Sequence, residues 1–383
     1  MPHKDTFFKR NFERFYEKIQ GEYKGALISP GPNFYYLTGL NPASTLERLF
    51  LLIVPVGSEP VILAPKLYEN ELKTSWIENI MLWEDKDNPY LILKEILDST
   101  GLSDKPRCCN RLPPLAREKK LLIEDTMPLS FFYKLKQALR ELDFEPLSKV
   151  VSELRVVKSK IETEFLKKAA KLADEAFEKL LEEELEGKTE REIEARIEYI
   201  LKTLGAEDIA FKPSVASGPN SANPHHASSE RVIKKGDLVV IDYGAKHGGY
   251  CSDITRTLAI GKVPEEAKKA YETVKEAQQE GIDMVKEGAI AKDIDLAVRD
   301  IIERHGYGKY FIHRTGHGLG LEVHEEPYIS SNSETVLKEG MVFTIEPGVY
   351  IPGKFGIRIE DDIAVINKRG VTLTNAEKEL LVL

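Results

Sequence analysis

The 383-residue chain contains few cysteines: Cys108, Cys109 and Cys251 are the three it has. Two of them are adjacent in the sequence, which matches neither a disulfide framework nor a CxxC metal or redox motif. We interpret all three as small packing residues. A chain that does not depend on disulfides suits a reducing compartment, and we expect the cytoplasm.

Long apolar runs are also absent. No stretch approaches the roughly 18 apolar residues that a membrane-spanning helix requires. Residues 1–20 carry charges throughout and lack the apolar centre of a signal peptide. We therefore expect a protein with no membrane partner.

The chain has no excess of basic residues. Its 54 lysines and arginines are outnumbered by 63 aspartates and glutamates, giving a net charge of −9. A protein that binds nucleic acid usually carries a basic stripe, so nucleic acid is excluded as the expected partner. The N-terminal part of the chain carries neither a glycine-rich phosphate loop nor a candidate metal set.

The length is sufficient for two domains, each with its own core. The first part of the chain alternates short β-like runs with helical patterns, which predicts an α/β domain with a mixed sheet. Strands are expected at 26–28, 50–54 and 61–63, and helices at 1–20, 66–76 and 89–98. We place the boundary where a long helical stretch begins, and predict domains 1–150 and 151–383.

The second domain alternates helices with hairpins and is therefore predicted to be α+β. Thr189 and Glu192 have the spacing of a capping box and predict the start of one helix. Helices are expected at 159–186, 189–204, 264–287 and 291–305.

Five residues of this domain are potential metal ligands. They are Asp242, Asp253, His317, Glu346 and Glu360. Four carboxylates and one imidazole, without a thiolate, suit Mn²⁺, Co²⁺, Fe²⁺ or Zn²⁺ with exchangeable water rather than a closed cysteine cage. Two such ions about 3.5–4 Å apart can activate a water molecule and polarise a carbonyl group.

The surroundings of these acids distinguish them from ordinary surface charges. Asp242 ends an apolar run that is predicted to be a buried strand, and Glu346 and Glu360 lie in similar runs. A carboxylate inside an apolar strand is costly unless it is paired, hydrogen-bonded or bound to a metal. For one acid alone a buried salt bridge is equally plausible. For four acids together with a glycine-flanked histidine, a metal site is favoured.

Two predicted hairpins bring these ligands together. Segment 237–241 pairs with 250–260 around a Lys-His-Gly-Gly turn, and segment 341–351 pairs with 356–366 around Pro-Gly. The first hairpin would place Asp242 close to Asp253. The second would supply the two glutamates from facing strands.

With the motifs VVIDYGA, YCSDITRT, TGHGLG, FTIEPGVY and GIRIEDD, the chain resembles the pita-bread metallopeptidases. The spacing of the five ligands is similar to the proline-directed branch, which contains prolidase (Xaa-Pro dipeptidase) and aminopeptidase P. The resemblance covers about 154–383, beginning at LRVVKS, and NFYYLTG at 33–39 resembles the N-terminal domain of the same branch. It implies a C-terminal pita-bread domain, a curved antiparallel sheet with outer helices, after a smaller α/β creatinase-like domain.

The resemblance also implies a role for each ligand. Asp242 would bind one of two divalent ions, Asp253 and Glu360 would bridge both, and His317 and Glu346 would complete the second. Manganese or cobalt is favoured, and zinc or iron would also fit. Glu346 would additionally carry a proton from the attacking water to the leaving amine.

Five further residues are candidates for binding and catalysis. By resemblance, His225, His313 and His324 would hold the scissile carbonyl, the tetrahedral intermediate and the proline ring. Arg358 is expected to pair with a ligand carboxylate. Tyr350 would offer its hydroxyl to the substrate, or else serve as a packed aromatic residue. For His226 and His247 we prefer a structural role.

The implied reaction is hydrolysis of the Xaa-Pro bond, most simply that of dipeptides. One alternative is an aminopeptidase P, which removes the first residue from longer peptides with proline second. An alternative of another class is a metal-free pita-bread binding module, although such relatives lose ligands and this chain keeps all five. A homodimer is expected, with 41–48 (NPASTLER) as a loop following a YYLTG strand and reaching towards the partner. A solvent-exposed connection is the other interpretation of that loop.

Overall fold

The computed structural model of the protein describes residues 4–42, 47–102, 120–139 and 142–383. Cys108, Cys109 and the middle of the candidate loop 41–48 lie outside these residues. The chain divides into two compact units, Met1–Leu154 and Arg155–Leu383. Among the described residues, no helix is both long and apolar enough to cross a bilayer.

The first unit is built on a six-stranded mixed sheet with the order β4-β3-β2-β1-β5-β6. Its strands are β1 Gly25–Ile28, β2 Leu51–Pro55, β3 Val61–Pro65, β4 Ile80–Trp83, β5 Lys120–Ile123 and β6 Asp143–Pro146. Strand β2 pairs antiparallel with β1 and β3, whereas β1–β5, β3–β4 and β5–β6 are parallel. The predicted mixed α/β sheet is confirmed.

Helices flank this sheet. In the described part of the unit they are α1 Lys4–Ile19, α2 Pro32–Thr38, α3 Glu69–Leu72, α4 Pro89–Thr100 and α5 Leu129–Ala138, with α6 Ser148–Arg155 at the boundary. Helix α1 buries Phe7, Phe8, Phe12, Phe15 and Ile19, the residues whose spacing predicted it.

Two local predictions in this unit were wrong. The YYLTG segment was expected to be a strand, but it belongs to α2. Pro32 at the first turn and Gly39, with φ 76° at the C-cap, favour a helix and overrule the apolar, aromatic composition. The helix expected at 66–76 is a single 3₁₀ turn followed by α3, which ends at Leu72.

The second unit alternates helix pairs with antiparallel strands. Its helices are α7 Lys160–Leu181, α8 Glu190–Thr203, α9 Glu265–Asp283 and α10 Ala291–Arg304. Its strands are β7 Asp208–Ile209, β8 Ser214–Ser217, β9 Leu238–Tyr243, β10 Ala245–His247, β11 Tyr250–Cys251, β12 Ile254–Ala259, β13 Gly316–Gly318, β14 Glu325–Ile329, β15 Val342–Ile345, β16 Gly348–Ile351, β17 Phe355–Arg358, β18 Asp361–Ile366 and β19 Arg369–Thr372.

The capping box predicted for α8 is confirmed. The Thr189 hydroxyl accepts the backbone N–H of Glu192 at 3.2 Å, and the Glu192 carboxylate accepts the backbone N–H of Thr189 at 2.7 Å. Ser159 and Glu162 form the same arrangement at the start of α7. Each box satisfies N–H groups that a helix start leaves without partners.

Both predicted hairpins form, but their strands are interrupted at the acids. Strand β9 pairs with β12, with Asp242 opposite Thr255, and the expected single strand 250–260 breaks at Ser252–Asp253. Strands β15–β18 and β16–β17 pair across the second hairpin, and both are interrupted, by Glu346–Pro347 on one side and Ile359–Glu360 on the other. These breaks release Asp253, Glu346 and Glu360 from strict strand alternation, so their side chains can turn towards one point. Asp242 lies inside β9.

Close backbone approach sets the position of His317. A Cβ atom on Gly316 would lie 1.8 Å from the carbonyl oxygen of Thr344, so only glycine allows β13 to pack this tightly against β15. The flanking glycines therefore hold the histidine against the second hairpin.

Candidate metal centre

Three of the predicted ligands converge on one buried point. Ligand atoms of Asp253, His317 and Glu360 all lie within 4.8 Å of one another, and all three residues are buried. They come from three separate chain segments: the break before β12, strand β13, and the break before β18. Because the three residues are distant in the sequence, the fold itself brings them together, and the cluster is a potential cation site.

Glu346 joins this cluster through His317. The imidazole Nε2 lies 3.4 Å from Glu346 Oε1 and 3.7 Å from Asp253 Oδ2. The other nitrogen, Nδ1, donates to the carbonyl oxygen of Gly318 at 3.2 Å. Burial lowers the pKa of His317 to about 3, so the ring is neutral. The Nε2 lone pair therefore faces the carboxylates, as a metal-binding tautomer requires.

The carboxylates of the cluster repel one another. Burial, reinforced by the neighbouring acids, raises the pKa of Asp253 and of Glu360 well above the ordinary range. Burial likewise raises the pKa of Glu346 to about 7. Uncompensated carboxylates at such proximity are costly in a protein interior. A bound cation would remove that cost.

Two carboxylate oxygens at the centre have no hydrogen-bond donor. Asp242 Oδ1 and Asp253 Oδ1 are buried without a partner among the described residues. Buried polar atoms are nearly always satisfied. Unsatisfied oxygens occur at other acids too, such as Glu194 and Asp362, but those of Asp242 and Asp253 belong to candidate ligands and would suit a cation. Together with the neutral imidazole, these donors fit a divalent cation with a preference for oxygen ligands.

Arg358 holds one side of the centre. Its guanidinium forms an ion pair with Asp242 Oδ2 and donates through Nη1 to the Tyr350 hydroxyl at 3.0 Å. Its Nε donates to Thr255 Oγ1 at 3.0 Å. One arginine thus fixes the orientation of Asp242 and leaves the opposite oxygen, Oδ1, free to face a cation.

A chain of hydrogen bonds connects this arginine to His313. The His313 ring donates through Nδ1 to the carbonyl oxygen of Arg314 at 2.7 Å, so Nε2 accepts the Tyr350 hydroxyl at 2.9 Å. Burial raises the pKa of Tyr350 to about 12 and lowers that of His313 to about 3, which keeps the phenol protonated and the imidazole neutral. Both ring nitrogens of His313 are therefore already hydrogen-bonded, Nε2 to the Tyr350 hydroxyl.

The remaining candidate histidines lie at the open side of the centre. His324 is exposed, and its ring lies 4.0 Å from the ring of His317, measured between centroids. His225 is exposed too, and its charge acts on the pKa of both His313 and His324. By contrast, His226 points away and binds the Glu190 carboxylate at 2.7 Å. His247 lies against the ring of Phe165.

Two threonines that the sequence analysis missed support the ligands. Thr255 Oγ1 donates to Glu360 Oε2 at 2.5 Å, and Thr344 Oγ1 contacts Glu346 Oε1 at 3.4 Å. Each lies two positions from a candidate ligand, Thr255 after Asp253 and Thr344 before Glu346. The two-residue interval from Thr344 to Glu346 was a signal in the sequence. The contact of Thr255 with Glu360 joins residues 105 apart in the chain, so no spacing encodes it.

With this geometry in place, comparison with known proteins identifies the class. Residues 164–367 match Metallopeptidase family M24, and residues 17–157 match the Creatinase/Prolidase N-terminal domain. The chain belongs to metallopeptidase family M24 and has its two-domain prolidase fold, a creatinase-like domain followed by a pita-bread domain. The predicted fold is confirmed, and membership of this family implies divalent metal ions.

Similar proteins span nearly the whole chain. A Xaa-Pro dipeptidase of Pyrococcus horikoshii is 40% identical over 356 residues, which is 93% of this chain and 93% of the relative. The crystal structure of a recombinant prolidase from Thermococcus sibiricus is similar with a TM-score of 0.91 and 50% identity, covering 98% of this chain and 99% of that one. An X-Pro aminopeptidase from Thermotoga maritima gives a TM-score of 0.82 and 31% identity, covering 96% and 99%.

Replacing Thr255 by valine should weaken metal binding. Valine preserves the shape of the side chain but removes the hydroxyl that joins Glu360 to Arg358. Loss of such an outer contact typically costs roughly 10- to 100-fold in metal affinity. Titration of the metal-free protein with Mn²⁺ measures the change. Thr257→Val is the matched control, because within the described part of the chain the Thr257 hydroxyl bonds to the backbone of Arg358 and to no candidate ligand. Equal losses in both variants would contradict the assignment.

The metal-free protein should become less stable as the pH rises between about 5 and 7. Asp253, Glu346 and Glu360 have raised pKa values in the folded protein, so they hold protons there that the unfolded chain has already released. The folded state therefore binds more protons, and the free energy of unfolding falls with increasing pH. Urea unfolding in the presence of a chelator measures the slope. A slope that is flat or positive, and unchanged by Asp253→Asn, would show that these acids do not repel one another.

Proposed function

We propose that the protein is a dipeptidase that hydrolyses Xaa-Pro bonds with two divalent ions, manganese or cobalt. The observation that supports this most strongly is the convergence of Asp253, His317 and Glu360 on one buried point beside orphaned carboxylate oxygens. Family membership, and relatives and solved structures named Xaa-Pro dipeptidase or prolidase, support the same activity.

In this proposal the five ligands divide between two ions. Asp242 would hold one ion, His317 and Glu346 would hold the other, and Asp253 and Glu360 would be shared between the two. The oxygen-rich set favours manganese or cobalt, and iron or zinc would also fit. When bound, the ions would supply an activated water nucleophile and polarise the scissile carbonyl.

The protein's own groups would manage charge and protons during the reaction. His225 and His324, both exposed at the open side, would donate hydrogen bonds to the oxygen of the carbonyl as it becomes negative. Glu346 would carry a proton to the proline nitrogen, which leaves as a secondary amine. As a metal ligand, Glu346 could carry this proton only through a carboxylate oxygen that remains available to it.

The network around Arg358 would keep the other groups in position. Arg358 orients Asp242 and donates to Tyr350, whose proton is directed at His313. The phenol oxygen retains one lone pair, which could accept a hydrogen bond from the substrate. His313 would act with Tyr350 at the wall of the proline site rather than as an independent donor.

Arg314 supports a dipeptide rather than a longer substrate. Its guanidinium stacks over the ring of Tyr328 at 4.2 Å, and Tyr328 lies opposite His317 across strands β13 and β14. The positive charge of Arg314 partly offsets the rise that burial causes in the pKa of Glu346. Its guanidinium forms no ion pair with any described residue. A dipeptide presents a free carboxylate on proline, and such a carboxylate pairs strongly with an arginine. An aminopeptidase P substrate has an amide there instead.

The homodimer expected from the resemblance remains part of this proposal. The loop suggested for the partner's site, 41–48, lies partly outside the described residues.

Removal of the metal tests the activity itself. Hydrolysis of an Xaa-Pro dipeptide should stop in chelator and return with Mn²⁺ or Co²⁺, and Asp253→Ala should abolish both turnover and metal binding. Metal content and proline release are measured on the same samples. Turnover that is insensitive to chelator would contradict the metal-dependent reaction. No metal binding together with no turnover of any Xaa-Pro substrate would favour the metal-free binding module.

Substrate length is tested at Arg314. Arg314→Met should lower kcat/KM for an Xaa-Pro dipeptide by roughly 100-fold, since hydrogen bonds to charged groups contribute about 1.5–3 kcal/mol. Hydrolysis of the corresponding Xaa-Pro amide should change little. Arg304→Met is the control, because Arg304 is exposed and pairs with Asp300 on the surface of α10. Equal losses on dipeptide and amide would contradict the carboxylate role while leaving the peptidase activity standing.

A further inference from the structure

A second buried carboxylate, Glu190, lies outside the ligand cluster. It is the first residue of α8 and is fully buried. The position at the start of a helix favours its negative charge. No step of the reaction described above uses this residue, yet each of its carboxylate oxygens accepts several hydrogen bonds.

Donors from four residues surround the Glu190 carboxylate. Oε1 accepts the backbone N–H and the hydroxyl of Ser217, both at 2.7 Å, and Asn220 Nδ2 at 3.0 Å. Oε2 accepts the backbone N–H of Ser229 at 3.0 Å, its hydroxyl at 2.6 Å, and His226 Nε2 at 2.7 Å. Burial alone would raise the pKa of Glu190, but these hydrogen bonds lower it to about 2, so the group stays ionised.

These donors all belong to one segment, 217–229. Ser217 and Ser229 are its two ends, and Asn220 and His226 lie between them. The carboxylate therefore closes the segment into a loop, drawing both ends and the middle to one point.

The same segment carries groups that face the metal centre. His225 immediately precedes His226, and the carbonyl oxygen of Pro224 accepts a hydrogen bond from Arg358 Nη1 at 3.4 Å. The Ser221 hydroxyl accepts the backbone N–H of Gly356 in β17 at 2.7 Å. The side of the loop opposite Glu190 is thus docked against the second hairpin.

We propose that Glu190 is a positioning residue that sets the place of His225 over the reacting carbonyl, acting through its neighbour His226 and the two serines. This inference rests on the proposed peptidase function, because His225 has a task only if a carbonyl is bound there. Glu190 touches neither substrate nor metal. It contributes by fixing a loop that would otherwise sample many conformations.

Glu190→Gln should reduce catalysis without reducing metal content. A glutamine has one oxygen and one NH₂ group in place of the two carboxylate oxygens. The NH₂ group would therefore face hydrogen-bond donors of the 217–229 segment and could not accept from them. Displacement of a catalytic group by about 1 Å can cost roughly 100-fold in rate, and we expect a loss of roughly 10- to 100-fold in kcat/KM. Bound manganese per chain should equal that of the wild type.

Energetic coupling between Glu190 and His225 distinguishes a positioning role of Glu190 from a general structural role. In a double-mutant cycle, Glu190→Gln should cost less than about twofold further once His225→Ala is present, because both changes remove the same contribution. Glu162→Gln is the matched control. Glu162 is also buried at a helix start and accepts Ser159 N–H and the Tyr250 hydroxyl, so its loss should lower stability with no coupling to His225.

Each result is decisive. A Glu190→Gln penalty of the same size with and without His225 would overturn the inference and leave the peptidase proposal intact. If His225→Ala alone left kcat/KM unchanged, the positioning inference would also be overturned. Turnover by the wild-type protein would still establish the peptidase activity. If Glu190→Gln does not fold, Ser229→Ala removes one hydroxyl donor, keeps the backbone hydrogen bond, and should show a smaller loss with the same coupling.

Discussion

The mutual repulsion of buried carboxylates is the constraint on which the second unit depends. Asp253, Glu346 and Glu360 are held close together where water cannot screen them, and their pKa values rise as a result. Without a cation the acids relieve the repulsion by holding protons, and a positive charge placed among them would allow all of them to ionise. Arg358 supplies part of that charge at Asp242. A cation bound by the unsatisfied oxygens of Asp242 and Asp253 would supply the rest.

The fold maintains this unfavourable grouping through rigid surroundings. Interrupted strands free the acids, glycines let β13 approach β15, and hydroxyls of Thr255 and Thr344 orient the carboxylates. Hydrophobic helix pairs cover the outside of the strands, with Phe177 and Ile197 packed in one core. The stability of that shell offsets the strain of the centre, as is common where a site is built before its ligand arrives.

Much of the site was predictable from residue type and neighbours. Three of the candidate ligands, Asp242, Glu346 and Glu360, are acids in apolar runs, and their combination with Asp253 and the glycine-flanked His317 predicted a metal site. The shared hydroxyl of Thr255 and the commitment of His313 to Tyr350 depend on side-chain geometry that no spacing encodes. No feature of the sequence indicated a special role for Glu190, because in a run of charged residues at a helix start it resembles any exposed acid. The YYLTG segment was misread because aromatic composition was given more weight than the flanking proline and glycine.

The central claim is that these acids exist to surround two cations. The most direct measurement is anomalous X-ray diffraction from crystals grown with Mn²⁺. The account predicts two manganese peaks about 3.5–4 Å apart, bridged by Asp253 and Glu360. A refined structure in saturating metal that shows no peak there, with the carboxylates satisfied by arginines or by shared protons, would contradict it.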